Sequence, residues 1–200
     1  MFKAGIMGGT FNPVHNAHLM LAEQAYEQLG LDKIIFIPSK NPPHKNNADI
    51  VSDKHRFNML ELAISGHENF EVSDIELKRE GITYTLDTVA ALKDANPDIE
   101  YNFIVGGDSF MNFMKWRKPE EIIKYCRIVA AGRDGYTKEQ LTEHLLYLNQ
   151  CLKTTITFID VPDMAISSEM IRKLLAANKP VKEYLPQQVY EYIQTHKLYR

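Results

Sequence analysis

A doubly wound α/β fold, with a mainly parallel sheet of five to six strands and helices on both faces, is predicted by three observations. Short β-branched or aromatic runs alternate with longer amphipathic stretches along the 200 residues. That alternation is the pattern of βαβ units joined by right-handed crossovers. Glycine pairs, Gly8-Gly9 and Gly106-Gly107, close two of the strand-like runs. Ligands of such sheets bind beyond the carboxyl ends of the strands, where the strand order reverses, so the two turns fit one shared site. No repeat or low-complexity tract interrupts the pattern, and 44% hydrophobic residues supply the core of one domain spanning 1–200.

Taken in order, residues 2–7 form an apolar first strand that breaks at the glycine pair. Residues 16–29 carry helical spacing, and Gly30 ends them because glycine tolerates the left-handed turn after a helix. Residues 33–37 read as a buried strand closed by Pro38, followed by a loop over 39–48 rich in Asn, Pro and Lys. Residues 52–65 are helical, with Phe57, Leu60, Leu62 and Ile64 apolar, then 70–73 form a short strand and 84–95 a helix. Residues 101–105 are a strand ending at Gly106-Gly107-Asp108. A helix over 120–125, a strand over 127–131, a helix over 137–149 and a strand over 155–159 follow, with closing helices at 168–177 and 186–195.

Charge is mixed, 23 basic against 26 acidic residues for a net of −3, which argues against a nucleic-acid partner. An anionic ligand would have to meet a local positive cluster. No run of about 18 apolar residues predicts a membrane span. Gly5, Gly8 and Gly9 interrupt any signal-peptide core. Cys126 and Cys151 lack metal or redox spacing and read as reduced thiols of a cytoplasmic protein, with zinc disfavoured. A homo-oligomer is left open.

The chemistry concentrates in Gly8-Gly9-Thr10-Phe11-Asn12-Pro13-Val14-His15-Asn16-Ala17-His18, between the first strand and first helix. Glycines permit close backbone approach, and a helix start offers N–H donors and partial positive charge to anions. His15 and His18, one turn apart, project to the same side. Donors at that spacing suit a polyphosphate. The ordinary alternative, a turn with capping or solvated histidines, does not account for both histidines and Thr10 so close to the glycines. Neither G-x-G-x-x-G at this turn nor G-x-x-x-x-G-K-[ST] anywhere occurs, which disfavours dinucleotide dehydrogenases and P-loop NTPases.

This segment resembles the G-G-x-F-x-P-x-H-x-G-H signature of the HxGH nucleotidylyltransferase superfamily. Downstream, Ile166-Ser167-Ser168-Glu169-Met170-Ile171-Arg172 is similar to its I-S-S-T-x-I-R segment. Independently, Ser167 and Ser168 are good helix caps, and Arg172 offers a planar multi-donor fork for phosphate. Further segments resemble the bacterial nicotinate mononucleotide adenylyltransferases. They are Pro42-Pro43-His44-Lys45, the stretch Asp53-Lys54-His55-Arg56-Phe57-Asn58-Met59-Leu60, Gly81-Ile82-Thr83-Tyr84-Thr85-Leu86-Asp87-Thr88, and Gly106-Gly107-Asp108 followed by Trp116. These run along most of the chain in the family's order and spacing.

The resemblance implies a Rossmann-like nucleotidyltransferase of NAD biosynthesis, joining ATP and nicotinate mononucleotide into deamido-NAD and pyrophosphate. It implies catalytic roles for His15 and His18, and ATP contacts from Gly8, Gly9, Thr10, Gly106, Asp108, Ser167, Ser168 and Arg172. The helical segment 167–200 would complete the ATP site. His44, Lys45, Tyr84, Thr85, Trp116 and Arg133 would hold the mononucleotide, and Mg2+ would be carried by ATP phosphates and water, with no dedicated metal ligands. Trp116, flanked by charges, is placed at the surface to stack on a pyridine, core packing being its alternative. Tyr84 and Thr85 open a helix whose donors suit a carboxylate, although Thr83 or Thr85 also reads as a simple cap. Asp108 suits a ribose hydroxyl or a magnesium-bound water, and residues 53–56 suit a helix start with structural ion pairs. Three positions depart from the family pattern. Ala17 replaces a glycine, harmlessly if the backbone is helical there; Glu169 replaces a threonine and loses a hydroxyl; Asn12 replaces an aspartate.

Rival readings stay within reach of the sequence. Other superfamily members act on nicotinamide mononucleotide, phosphopantetheine or cytidylyl acceptors, and Trp116 with Tyr84-Thr85 disfavours the last two. A class I aminoacyl-tRNA synthetase lacks support, since no K-M-S-K-S-like segment is present. A non-catalytic nucleotide-binding regulator is disfavoured by the intact His15, His18 and Arg172.

Overall fold

The computed structural model describes residues 1–40, 50–131, 135–162 and 164–200. Six strands form one sheet in the order β3-β2-β1-β4-β5-β6. They are β1 (Lys3–Gly9), β2 (Lys33–Pro38), β3 (Phe70–Val72), β4 (Glu100–Gly106), β5 (Arg127–Ala131) and β6 (Thr157–Ile159). β1 pairs with β4 in parallel, from Lys3 beside Glu100 to Ile6 beside Phe103, and β4–β5 and β5–β6 are also parallel. Chain order runs outward from β1 in one direction and from β4 in the other. This is the doubly wound arrangement expected from the alternation of runs, and it sets the reversal at the β1/β4 pair.

The flanking helices are α1 (Asn16–Leu29), α2 (Asp53–Ile64), α3 (Thr85–Ala95), α4 (Gly107–Met111), α5 (Pro119–Tyr125), α6 (Lys138–Leu152), α7 (Ser168–Ala176) and α8 (Gln187–Thr195). α1 has the expected bounds, with Gly30 at φ +56°. β2 is buried from Ile34 to Pro38, as near-continuous apolar runs are in parallel sheets. β1 extends through both glycines, contrary to the expected break, and Gly9 C=O accepts from Ser39 N at 2.8 Å. α4 was not expected, because five residues carry no readable period. β6 is shorter than expected and α6 longer, closed by Lys153 in the left-handed region at φ +51°.

The chain divides into two compact units. One comprises Met1–Gly8, Leu21–Ile35 and Tyr84–Asp163, and its core includes Ala4, Ile6, Ile34, Phe103, Val105 and Val129. Cys126 is buried there and burial pushes its thiol up to about 12, which leaves it unreactive. The other comprises Gly9–Met20, Phe36–Thr83 and Met164–Arg200. In it α2 packs on α8, where Tyr192 OH lies 3.0 Å from both His55 Nδ1 and Asn58 Nδ2. Among the described residues, no helix is long and apolar enough to cross a membrane.

Candidate active site

The glycine-rich motif leaves β1 as a loop held by its own carbonyls. Arg56 Nη1 donates to Thr10 C=O at 2.7 Å, Arg172 Nη1 to Asn12 C=O at 2.8 Å, and Ser168 Oγ to Pro13 C=O at 2.9 Å. Between them Phe11 adopts φ +48°, a conformation that costs a non-glycine residue roughly 1 kcal/mol or more. Its ring packs on Phe36 and edge-on to His18. A Cβ at Gly9 would lie 3.1 Å from the Phe11 ring, and one at Gly8 3.2 Å from Phe103. The glycines therefore make room first for the protein's own aromatic rings.

His15 precedes α1, and its C=O accepts from His18 N at 2.9 Å, starting the helix. His15 N–H in turn donates to His18 Nδ1 at 3.2 Å. An Nδ1 that accepts leaves the ring proton on Nε2, so His18 presents an N–H donor from its far side. The two rings lie 3.7 Å apart with a 32° tilt, which bears out the expectation that they share a side. His15 is buried, and its Nδ1 has no hydrogen-bond partner among the described residues. Burial lowers its pKa from 6.5 to about 4, so at neutral pH the ring is uncharged. Buried nitrogens without partners are rare in folded proteins, and Arg56 Nε is another among the described residues.

That burial has a measurable cost in acid. Between pH 6.5 and about 4 the unfolded chain binds a proton at residue 15 that the folded chain does not. Stability falls across that window as pH drops, by about 3 kcal/mol in full. Urea unfolding of the wild type and of His15→Gln at pH 7 and pH 4 measures it. The wild type should lose about 3 kcal/mol more than the variant, and equal losses would show that another group carries the effect.

Downstream, Ser167 caps α7, its Oγ accepting from Met170 N at 3.1 Å as a helix cap should. Glu169 pairs with Lys173 at 2.6 Å at an exposed site, and Ala17 lies inside α1 without a positive φ. Neither departure strains the fold. Thr10, His15, His18, Ser168 and Arg172 are thus gathered around one loop, 155 residues of sequence separating Pro13 from Ser168.

Sequence reasoning missed the importance of Arg56. The expected ion pair with Asp53 is present at 2.5 Å, yet Arg56 is fully buried and reaches Thr10. Helical spacing sets Arg56 on one face with Met59, Leu60 and Ala63, which are buried with it, but a charged residue there carries no local sign of its burial. Asn12 and Tyr199 were missed as well; Asn12 Oδ1 accepts from Tyr199 OH at 2.9 Å and from Val51 N at 3.2 Å.

In the other unit, Gly106 precedes α4, and Asp108 in its first turn accepts from Tyr136 OH at 3.2 Å. Tyr84 holds the N-cap of α3 with no side-chain capping bond, and Thr85 is the first helical residue. Tyr84 and Thr85 therefore open α3 as expected, and the alternative of a Thr83 or Thr85 cap does not hold, since the N-cap is Tyr84, whose side chain makes no capping bond. Arg117, another residue missed, sits 4.4 Å from the centre of the Tyr84 ring, with Nη1 3.9 Å from Asp87. Its neighbour Trp116 is half-buried, edge-on to Phe103 at 5.9 Å and tilted against Phe113 at 5.3 Å. The α3 start and the tryptophan segment, separate in sequence, are therefore brought together. His44, Lys45 and Arg133 lie outside the described residues.

Paired histidine rings at a helix start, beside a loop gripped by two arginines, on a doubly wound sheet, are the parts of a nucleotidyltransferase. Residues 6–174 match the family described as cytidylyltransferase-like, and the chain belongs to it. Within that class it belongs with the nicotinate-nucleotide adenylyltransferases. It is 46% identical over 199 residues to a probable nicotinate-nucleotide adenylyltransferase of Lachnoclostridium phytofermentans, covering 100% of both chains. Its identity to the corresponding protein of Clostridium acetobutylicum is 39%, again at 100% coverage of both. The fold is also that of Plasmodium falciparum nicotinic acid mononucleotide adenylyltransferase complexed with NaAD, with a TM-score of 0.83, 20% identity and coverage of 100% and 98% of the two chains.

Proposed function

We propose that this chain transfers the adenylyl group of ATP to nicotinate mononucleotide, giving deamido-NAD and pyrophosphate, and that residues 1–200 act as one catalytic domain in the cytoplasm. The observation that carries the reading is the His15–His18 pair, one ring buried and neutral, the other fixed as an Nε2–H donor. A phosphate oxygen of the mononucleotide forms the new bond to the α-phosphorus of ATP. The bond from that phosphorus to the β-bridging oxygen breaks, and pyrophosphate leaves with its electron pair. A phosphomonoester is already largely ionised at neutral pH, its second pKa being about 6, so the step needs no general base.

Catalysis then reduces to alignment and to donors aimed at charge on the α-phosphate and the leaving group. His18 Nε2–H and His15 supply the donors to the transferring phosphoryl group. Gly8, Gly9, Thr10, Ser167, Ser168 and the remaining N–H groups of Arg172 hold the phosphates, while Gly106 and Asp108 meet the adenosine side. Among the described residues no group of three or more His, Cys, Asp or Glu is placed to hold a metal. Mg2+, carried on phosphate oxygens and water, would neutralise charge on the triphosphate.

Selection of acid over amide is assigned to the start of α3. N–H groups there suit a carboxylate, whereas a carboxamide turns its own NH₂ towards them or leaves donors unpaired at about 1–3 kcal/mol each. Arg117, beside Asp87, offsets the one negative charge in that first turn. Trp116, His44, Lys45, Tyr84 and Arg133 complete the mononucleotide contacts. Trp116→Ala should raise KM for both mononucleotides about twofold to tenfold, a stacked aromatic contact being worth about 0.5–1.5 kcal/mol, and leave the acid/amide ratio unchanged. A ratio that moves with Trp116 would place selection at the indole instead.

Parallel assays of purified protein with ATP, Mg2+ and each mononucleotide test the whole reading. Formation of deamido-NAD with pyrophosphate, in clear preference to the amide product, is expected. Equal turnover of the amide would move the chain to that substrate, and binding without turnover would make it a regulator.

A further inference from the structure

Two strained pieces of backbone are joined by a hydrogen bond in the unit that carries the histidines. One is the motif loop, with Phe11 at φ +48°; the other is the stretch after α8, where Lys197 and Tyr199 have φ +50° and +64°. Left-handed backbone at non-glycine residues persists only where surrounding contacts impose it. After α8 those contacts are Leu198, which is buried and whose N–H donates to Ile193 C=O at 3.1 Å, and the Tyr199 hydroxyl, which donates to Asn12 Oδ1 at 2.9 Å. Asn12 is itself buried, and its carbonyl is the one that Arg172 grips.

We infer that Tyr199 is a positioning residue for adenylyl transfer: by donating to the Asn12 side chain it fixes the Thr10–Pro13 segment, and through it the histidine pair. Arg56 holds the segment's first carbonyl, Arg172 and Ser168 its last two, and Tyr199 the side chain between. Tyr199 lies near both arginines, whose charges favour its ionised form. Burial outweighs them and raises the phenol above its ordinary range, so the hydroxyl remains a donor wherever the enzyme works. An unbranched hydrophobic contact would serve packing equally well; a hydroxyl aimed at a buried amide oxygen serves geometry.

This inference rests on the adenylyl-transfer reading for its kinetic arm, and a second arm is independent of activity. Tyr199→Phe keeps the ring and removes only the hydroxyl. Hydrogen exchange of the full chain should quicken about tenfold in the segment 9–18 and stay unchanged elsewhere, as local opening without global unfolding requires. Turnover should fall about tenfold with both KM values within about threefold, because misalignment acts on the transition state more than on binding. In an Asn12→Ala background, which also removes the acceptor of Val51 N–H, Tyr199→Phe should add no further loss, since the acceptor of the Tyr199 hydroxyl is already gone. Unchanged exchange in the segment, exchange that rises equally throughout the chain, unchanged kcat, or losses that multiply in the double variant would each overturn the assignment. A wild type that forms no deamido-NAD would instead remove the functional reading, and the exchange arm would still decide whether Tyr199 holds the loop.

Discussion

His18→Ala is expected to lower turnover by about a hundredfold or more while leaving the fold intact. The loss follows from geometry. His15 N–H donates to His18 Nδ1 and the rings lie 3.7 Å apart, so the donor at Nε2 is oriented before substrate arrives. Removing one preorganised donor aimed at developing charge costs about 2.7–4 kcal/mol in comparable sites. Stability should change little, because His18 is only half-buried and its ring meets Phe11 edge-on. His18→Asn or His18→Gln supplies a donor at a different reach and should recover part of the rate. Single-turnover measurements that show near-normal adenylyl transfer in His18→Ala would remove this residue from the mechanism.

The neighbouring histidine has a different character from the one its spacing implied. Spacing alone treated His15 and His18 as equivalent donors. Burial, which no local pattern encodes, makes His15 neutral at pH 7, and its Nδ1 has no partner among the described residues. A bound phosphate would supply the missing partner and favour the protonated ring. Proton uptake on ATP binding at pH 7 would report that change.

What could be read in advance was local. α1 and its glycine stop, the Ser167 cap and the parallel runs of β2 and β5 follow from period, cap chemistry and apolar continuity. What could not be read depends on contacts across the chain. Tyr199 reaches Asn12 over 187 residues, and Arg56 looks like a helix-surface charge until the burial of α2 is seen. α4 is too short to show a period, and the cap of α3 falls on Tyr84, which has no capping chemistry to recognise. The family resemblance marked the Ser167–Arg172 segment as phosphate-holding; the structure adds that Ser168 and Arg172 also brace the loop that carries Asn12 and Pro13.

That double engagement sets the expectation for Arg172→Ala. Arg172 Nη1 is already committed to Asn12 C=O at 2.8 Å, and the proposed phosphate contacts use the rest of the guanidinium fork. A charge-assisted hydrogen bond is worth roughly 1.5–3 kcal/mol, so losing a loop contact and a phosphate contact together should cost about a hundredfold or more in kcat/KM for ATP. The two losses separate by substitution. Arg172→Lys retains a cation for phosphate but cannot donate in two directions from a planar fork, so KM for ATP should recover more than kcat does. KM for nicotinate mononucleotide should move least, because the β- and γ-phosphates belong to ATP alone. If Arg172→Ala raises KM for the mononucleotide and leaves that for ATP unchanged, the arginine serves the other substrate. If lysine restores kcat in full, the bond to Asn12 contributes nothing to alignment, and the loop depends on Arg56, Ser168 and Tyr199 alone.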